Sequence, residues 1–115
     1  MSTTSENKVL VVSKLDQNDQ VKLDYSTLKK AVLTLRAVNH PLRKEMMELL
    51  EQKRKMTVTE IYIKMRLEQS VASQHLAILR KADVLTTERD GKFIYYSLNA
   101  SRIEEISALV EKLAQ

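Results

Sequence analysis

One glycine and one proline in 115 residues limit how often this chain can turn sharply. The glycine stands in Asp90-Gly91, between the β-prone runs Val84 to Arg89 and Lys92 to Leu98, a setting in which Asp-Gly signals a tight two-stranded hairpin. The proline follows Asn39-His40. Proline disfavours helical geometry in the residue before it yet fits the first turn of a new helix, so Pro41 divides one helix from the next. A sandwich or barrel needs many more turns than this. Few aromatics and many Leu, Lys and Glu point the same way, to a mainly α chain with one β-hairpin.

Hydrophobic spacing fills in the helices. From Ser26, a candidate cap, Leu28, Ala31, Val32, Leu35 and Val38 recur at three- and four-residue steps, the pattern of an amphipathic helix. A second helix is expected from Pro41 to about Gln52, with Leu42, Met46, Leu49 and Leu50 inward and Lys53-Arg54-Lys55 at the carbonyl end of its dipole. Thr57-Val58-Thr59-Glu60 reads as a capping box for a short helix, Val58 to Met65. Another runs from Glu68 to about Lys81, with Ala72, Leu76 and Leu79 on one face. Asn99 or Ser101 caps a last helix carrying Ile103, Ile106, Val110 and Leu113. Ahead of these, residues 1–25 form an extension: Met1 to Asn7 are expected to fray. Val9 to Val12, Val21 and Leu23 flank Asp16-Gln17-Asn18-Asp19 as either a small hairpin or a loop between strand and helix. Residues 26–115 form the main domain.

Composition narrows the function classes. A chain of this length is one domain. No cysteine is present, which removes disulfides, thiolate metal sites and thiol redox sensing. No apolar run exceeds four residues, so neither a membrane span nor a secretory signal is expected. The formal charge of +4 is compatible with a nucleic-acid partner without establishing one. It concentrates in the middle: Met1 to His40 carries +2, Pro41 to Leu98 +3 and Asn99 to Gln115 −1. No Ser-His-Asp set, Gly-rich phosphate loop or His pair at metal spacing occurs, so an enzyme is not expected.

The order helix, helix, short helix, tight turn, longer helix, hairpin is the outline of a winged helix-turn-helix. In that unit the longer helix presents its outer side chains to the DNA major groove. Opposite Ala72, Leu76 and Leu79 lie Gln69, Ser70, Ser73, Gln74 and Ala77. Gln pairs bidentately with adenine, Ser bonds bases or phosphate, and Val71 can touch a thymine methyl. Each residue alone is ordinary solvated surface; the capped short helix before them and the hairpin after them favour DNA. Arg89 and Lys92 flank the wing turn, where reaching a phosphate is enough.

Leu67-Glu68-Gln69-Ser70-Val71-Ala72-Ser73-Gln74-His75-Leu76 resembles the recognition-helix signature of the ArsR-type bacterial repressors. Ala77-Ile78-Leu79-Arg80-Lys81-Ala82-Asp83-Val84-Leu85 looks like its continuation, with Asp83 where a glycine is common. His40-Pro41-Leu42-Arg43 is similar to the start of the family's second helix, and Glu88 to Leu98 to its wing. The resemblance implies a cytoplasmic, homodimeric repressor on a double-stranded inverted-repeat operator. Its flanking helices usually make the dimer. Here the candidates are Leu28, Val32 and Leu35 on the first helix and Ile103, Ile106, Val110 and Leu113 on the last, unless both stripes only cover the monomer's core.

Departures from the family also carry expectations. Thr57 and Thr59 occupy the positions where thiolate-sensing members carry a Cys-x-Cys motif, and the last helix has no histidine. With His40 and His75 the only histidines, no metal site within one subunit and no cofactor are expected. Glu104 and Glu105 read as favourable charges near a helix start. His75 reads as a core histidine more than a base reader. Arg43 has two readings, phosphate contact or a bond holding helices together. Tyr95 and Tyr96 should face opposite sides of their strand. Two rival functions stand beside a DNA-binding repressor: an interaction module that has lost DNA binding, and a sensor gated by a non-thiolate ligand across a dimer.

Overall fold

A computed structural model of the chain describes residues 9–13 and 20–114, with side chains from residue 24 onward. The expectations for residues 1–7 and 16–19 fall outside it. The chain divides into two compact units, residues 1–34 and 35–115. In the first, β1 (Val9–Ser13) pairs antiparallel with β2 (Gln20–Asp24), Val9 opposite Asp24 and Ser13 opposite Gln20. This is the hairpin of the two alternatives. Helix α1 (Tyr25–Val38) follows directly. It starts one residue before Ser26, because the Asp24 carboxylate accepts the Ser26 amide at 3.0 Å and takes the capping role expected of Ser26.

In the second unit, α2 (Pro41–Lys53) begins where proline supplies a fixed φ and has no amide to leave unpaired. The His40 ring caps it, with Nδ1 accepting the Leu42 amide at 3.1 Å. After it come β3 (Met56–Thr57) and α3 (Val58–Met65). Thr57 and Glu60 complete the expected capping box: the Thr57 hydroxyl accepts the Glu60 amide at 3.2 Å, and the Glu60 carboxylate accepts the Thr57 amide at 2.9 Å. A turn through Arg66, left-handed at φ 58°, leads to α4 (Gln69–Lys81).

The wing is β4 (Leu85–Asp90) and β5 (Phe93–Leu98). Its register pairs Asp90 with Phe93. The two-residue loop is therefore Gly91-Lys92, one step later than Asp90-Gly91. Gly91 leads that loop at φ 63°, the order a II′ hairpin turn requires. Strand β3 pairs with the other edge of β5, Met56 opposite Tyr96 and Thr57 opposite Tyr95, giving the sheet order β3-β5-β4. A two-residue strand has no periodicity to read, and the sequence gives no sign of it.

Helix α5 (Ala100–Ala114) closes the described chain. Its cap is Asn99, not Ser101: the Asn99 side-chain oxygen accepts both the Arg102 amide and the Ser101 hydroxyl. The Asn99 amide group also donates to the Asp83 carbonyl at 3.0 Å, fixing the start of α5 to the end of the α4 turn.

The core joins Met46, Leu49 and Leu50 of α2, Met56 of β3, Ile61 of α3, Ala72, Leu76 and Leu79 of α4, Val84, Leu85 of β4 and Ile106 of α5. Met46, Leu50, Ile61, Leu76, Leu79 and Leu85 are essentially inaccessible to solvent. Each such side chain contributes about 1.5–3 kcal/mol of transfer free energy. No helix among the described residues is long and apolar enough to cross a membrane.

Candidate nucleic-acid interface

Burial of Ala72, Leu76 and Leu79 fixes the rotation of α4 about its axis. The opposite face is then determined by the 3.6-residue period. Ser70, Ser73, Gln74 and Ala77 are exposed there as expected; Gln69 is exposed in the first turn but, seven residues before Leu76, lies toward the core side, and Val71 is half-buried at the edge of the face. None of these side chains has a hydrogen bond or ion pair among the described residues. Lys81 lies seven residues, or two turns, beyond Gln74 and shares its stripe. The same i, i+7 spacing marks it in the sequence.

Arg43 fixes how α4 is presented. Its Nε donates to the Ala37 carbonyl at 2.6 Å, one terminal nitrogen lies 3.3 Å from the Arg36 carbonyl, and the other 3.1 Å from His75 Nδ1. One guanidinium thus holds the end of α1, the first turn of α2 and the middle of α4. Of its two readings, the structure supports the bond between helices. Guanidinium only donates, so His75 Nδ1 accepts and carries no proton. His75 is half-buried and stacks obliquely on His40, ring centroids 4.9 Å apart. Burial first, then the nearby His40 and Arg43, lower its pKa below the ordinary imidazole value. Its place is structural, behind the exposed face.

At the wing, Arg89 and Lys92 are both exposed. The Arg89 Nε donates to the Gly91 carbonyl at 3.2 Å, which holds the guanidinium against the turn. The Lys92 ammonium lies 5.6 Å from the Phe93 ring centroid. Phe93 and Ile94 next to the tip are 50% and 47% exposed. Tyr96 packs against the core, whereas the Tyr95 ring lies under the Lys55 ammonium at 5.0 Å. Lys55 also pairs with Glu88 at 3.7 Å, tying the end of the basic run to the wing.

The two stripes proposed for a dimer divide by burial. Leu28 and Val32 on α1 and Val110 and Leu113 on α5 are exposed, Leu113 by 69%. Leu35 and Ile103 are partly buried against the core, and Ile106 belongs to it. Glu105 pairs with Arg102 at 3.4 Å near the start of α5. Among the described residues, no group of three or more His, Asp or Glu side chains is placed to hold a metal ion. Thr57, in the position of a family cysteine, is occupied as the cap of α3.

Comparison with known proteins agrees with this architecture. The family model described as bacterial regulatory protein, arsR family, matches residues 40–87, from the α2 cap into β4. The transcriptional repressor PagR of Bacillus anthracis is 34% identical over 92 residues, covering 80% of this chain and 92% of PagR. The transcriptional activator HlyU of Vibrio cholerae is 29% identical over 84 residues, covering 73% of this chain and 77% of HlyU. The crystal structure of PagR superposes with a TM-score of 0.62, covering 76% of this chain and 99% of PagR. Helix-turn-helix, wing and relatives agree: the chain belongs to the arsR family of bacterial regulatory proteins and is a DNA-binding transcriptional regulator rather than an enzyme.

Proposed function

We propose that this regulator is a cytoplasmic repressor that binds an inverted-repeat operator as a homodimer. Gln69, Ser70, Val71, Ser73 and Gln74 read base edges, and Arg89 and Lys92 contact the backbone from the wing. The observation that carries this is the outer face of α4, exposed and without hydrogen bonds or ion pairs among the described residues, on a helix whose inner face is locked in the core. Such a face leaves its donors and acceptors open to base edges. Dimerisation would use the exposed parts of the α1 and α5 stripes, Leu28 and Val32, Val110 and Leu113, with Leu35, Ile103 and Ile106 supporting them from inside. A two-fold dimer sets its reading helices about one DNA turn, ~34 Å, apart.

Capturing genomic fragments on the purified protein, then footprinting them, tests the proposal. The expected result is two protected half-sites about 10 base pairs apart, upstream of a gene whose transcription rises when the protein is removed. Gln74→Ala should cost about 1–3 kcal/mol at one base position and relax the preference there. A fall in transcription on removal would make the protein an activator. The absence of protection at low salt would favour a winged-helix interaction module.

A further inference from the structure

Between α4 and the wing runs a groove of about 290 Å³, lined by Ser73, Leu76, Ala77, Arg80 and Lys81 of α4 and by Tyr96 of β5. Its lining contains no carboxylate. Two larger clefts of the second unit differ in this: Glu51 and Glu88 line one, Glu48 and Glu51 the other. Arg80 and Lys81 are exposed, and neither has an ion-pair partner among the described residues. Two hydroxyls, of Ser73 and Tyr96, share the groove with these two cations. A helix C-terminus attracts cations. That effect accounts for neither the hydroxyls nor the absence of acidic groups.

Helical geometry supplies the link to DNA. Arg80 lies seven residues beyond Ser73, and Lys81 seven beyond Gln74, which at 1.5 Å per residue places the cations about 10 Å further along the axis. The major groove is about 12 Å wide. With Ser73 and Gln74 over base edges, the end of α4 therefore reaches the strand that borders the groove. We propose that the α4–wing groove seats a phosphodiester of that strand, with Arg80 and Lys81 supplying charge and the Tyr96 hydroxyl donating to a phosphate oxygen, while Ser73 stays with the base edges. This rests on α4 being the base-reading helix.

The test measures affinity for a captured operator across a salt series, using the intact protein, Arg80→Gln, Lys81→Gln, the double variant, and Lys112→Gln of α5 as a control for net charge. Removing either cation from its phosphate should flatten the dependence of log K on log salt by about one unit, and the double variant by about two, with Lys112→Gln matching the parent. Thermal unfolding of each variant confirms that these exposed positions leave the fold intact. Slopes for Arg80→Gln and Lys81→Gln equal to the parent's, with Gln74→Ala still altering base preference, would overturn the phosphate seat and leave the base-reading face standing. Equal flattening by Lys112→Gln would reduce the effect to net charge and overturn it as well. A parent protein with no sequence preference on any DNA would remove both.

Discussion

Helices α4 and α5 are both amphipathic, 13 and 15 residues long, yet the chain treats them differently. Helix α4 buries three side chains completely, is bonded through His75 to Arg43, and exposes mostly small or polar groups to the outside. Helix α5 buries only Ile106 and leaves Val110 and Leu113 46% and 69% exposed. The hydrophobic period alone describes both equally well. What separates them is whether the apolar stripe is satisfied inside the chain. A satisfied stripe frees the opposite face to read a ligand, and an unsatisfied one asks for a partner.

The largest expected effect breaks α4 out of the core. Leu76→Ala should destabilise the fold by about 2–5 kcal/mol, measured as a lower urea midpoint, because it leaves a cavity beneath the reading face; a drop of only a few tenths would mean that Leu76 does not anchor α4. The joint between the two helices is next. Asp83 holds φ 67° without a side-chain bond among the described residues, so Asp83→Gly should stabilise by roughly 0.5–1 kcal/mol by removing left-handed strain, less the entropy glycine loses on folding. A destabilised variant would show that Asp83 has a role beyond the turn.

A third effect belongs to α4 alone and is confined to acid. With the His75 pKa lowered in the folded state, the unfolded chain takes up its proton first as pH falls below about 6.5. The stability contributed by neutral His75 is therefore complete above that value and is lost as pH drops toward the folded-state pKa. Denaturant melts between pH 7.5 and 5 should show this loss, and His75→Gln, which keeps an acceptor for Arg43 but does not titrate, should flatten it. An unchanged slope in that variant would place the titration elsewhere. The smallest effect on the fold is expected at the end of α5. Leu113→Asp should alter monomer stability by no more than about 0.5 kcal/mol, while sedimentation shows the homodimer weakened. A dimer untouched by this change would place its interface elsewhere.

Most of the helical frame was legible because each helix repeats its apolar residues at its own period and begins at a recognisable signal: Pro41, the Thr57–Glu60 box, Asn99. The exposed face of α4 followed from the same phase. What escaped depends on residues far apart in sequence. Arg43 had two equal readings because His75, which decides between them, lies 32 residues away. Strand β3 exists only through β5, and the wing loop shifted by one residue because register is a property of two strands together. The α1 cap moved from Ser26 to Asp24, since both residues are good caps and local sequence does not choose between them. Ile106 lies on the same stripe as Val110 and Leu113, and only the packed core shows where burial stops. The groove that Arg80 and Lys81 share likewise depends on Tyr96 of the wing, 15 residues beyond Lys81.

Thr57 is both the last residue of β3, paired with Tyr95 of the wing, and the cap of α3, which leads through a single turn into α4. The helix proposed to read bases and the wing proposed to touch the backbone are thus both tied to one backbone position. In that reading α4 and the wing are the two jaws of a calliper joined at Thr57. On the proposed reading, a duplex whose groove is wider or narrower than that fixed opening would itself have to deform to fit, and selection by width and pliancy would accompany selection by bases.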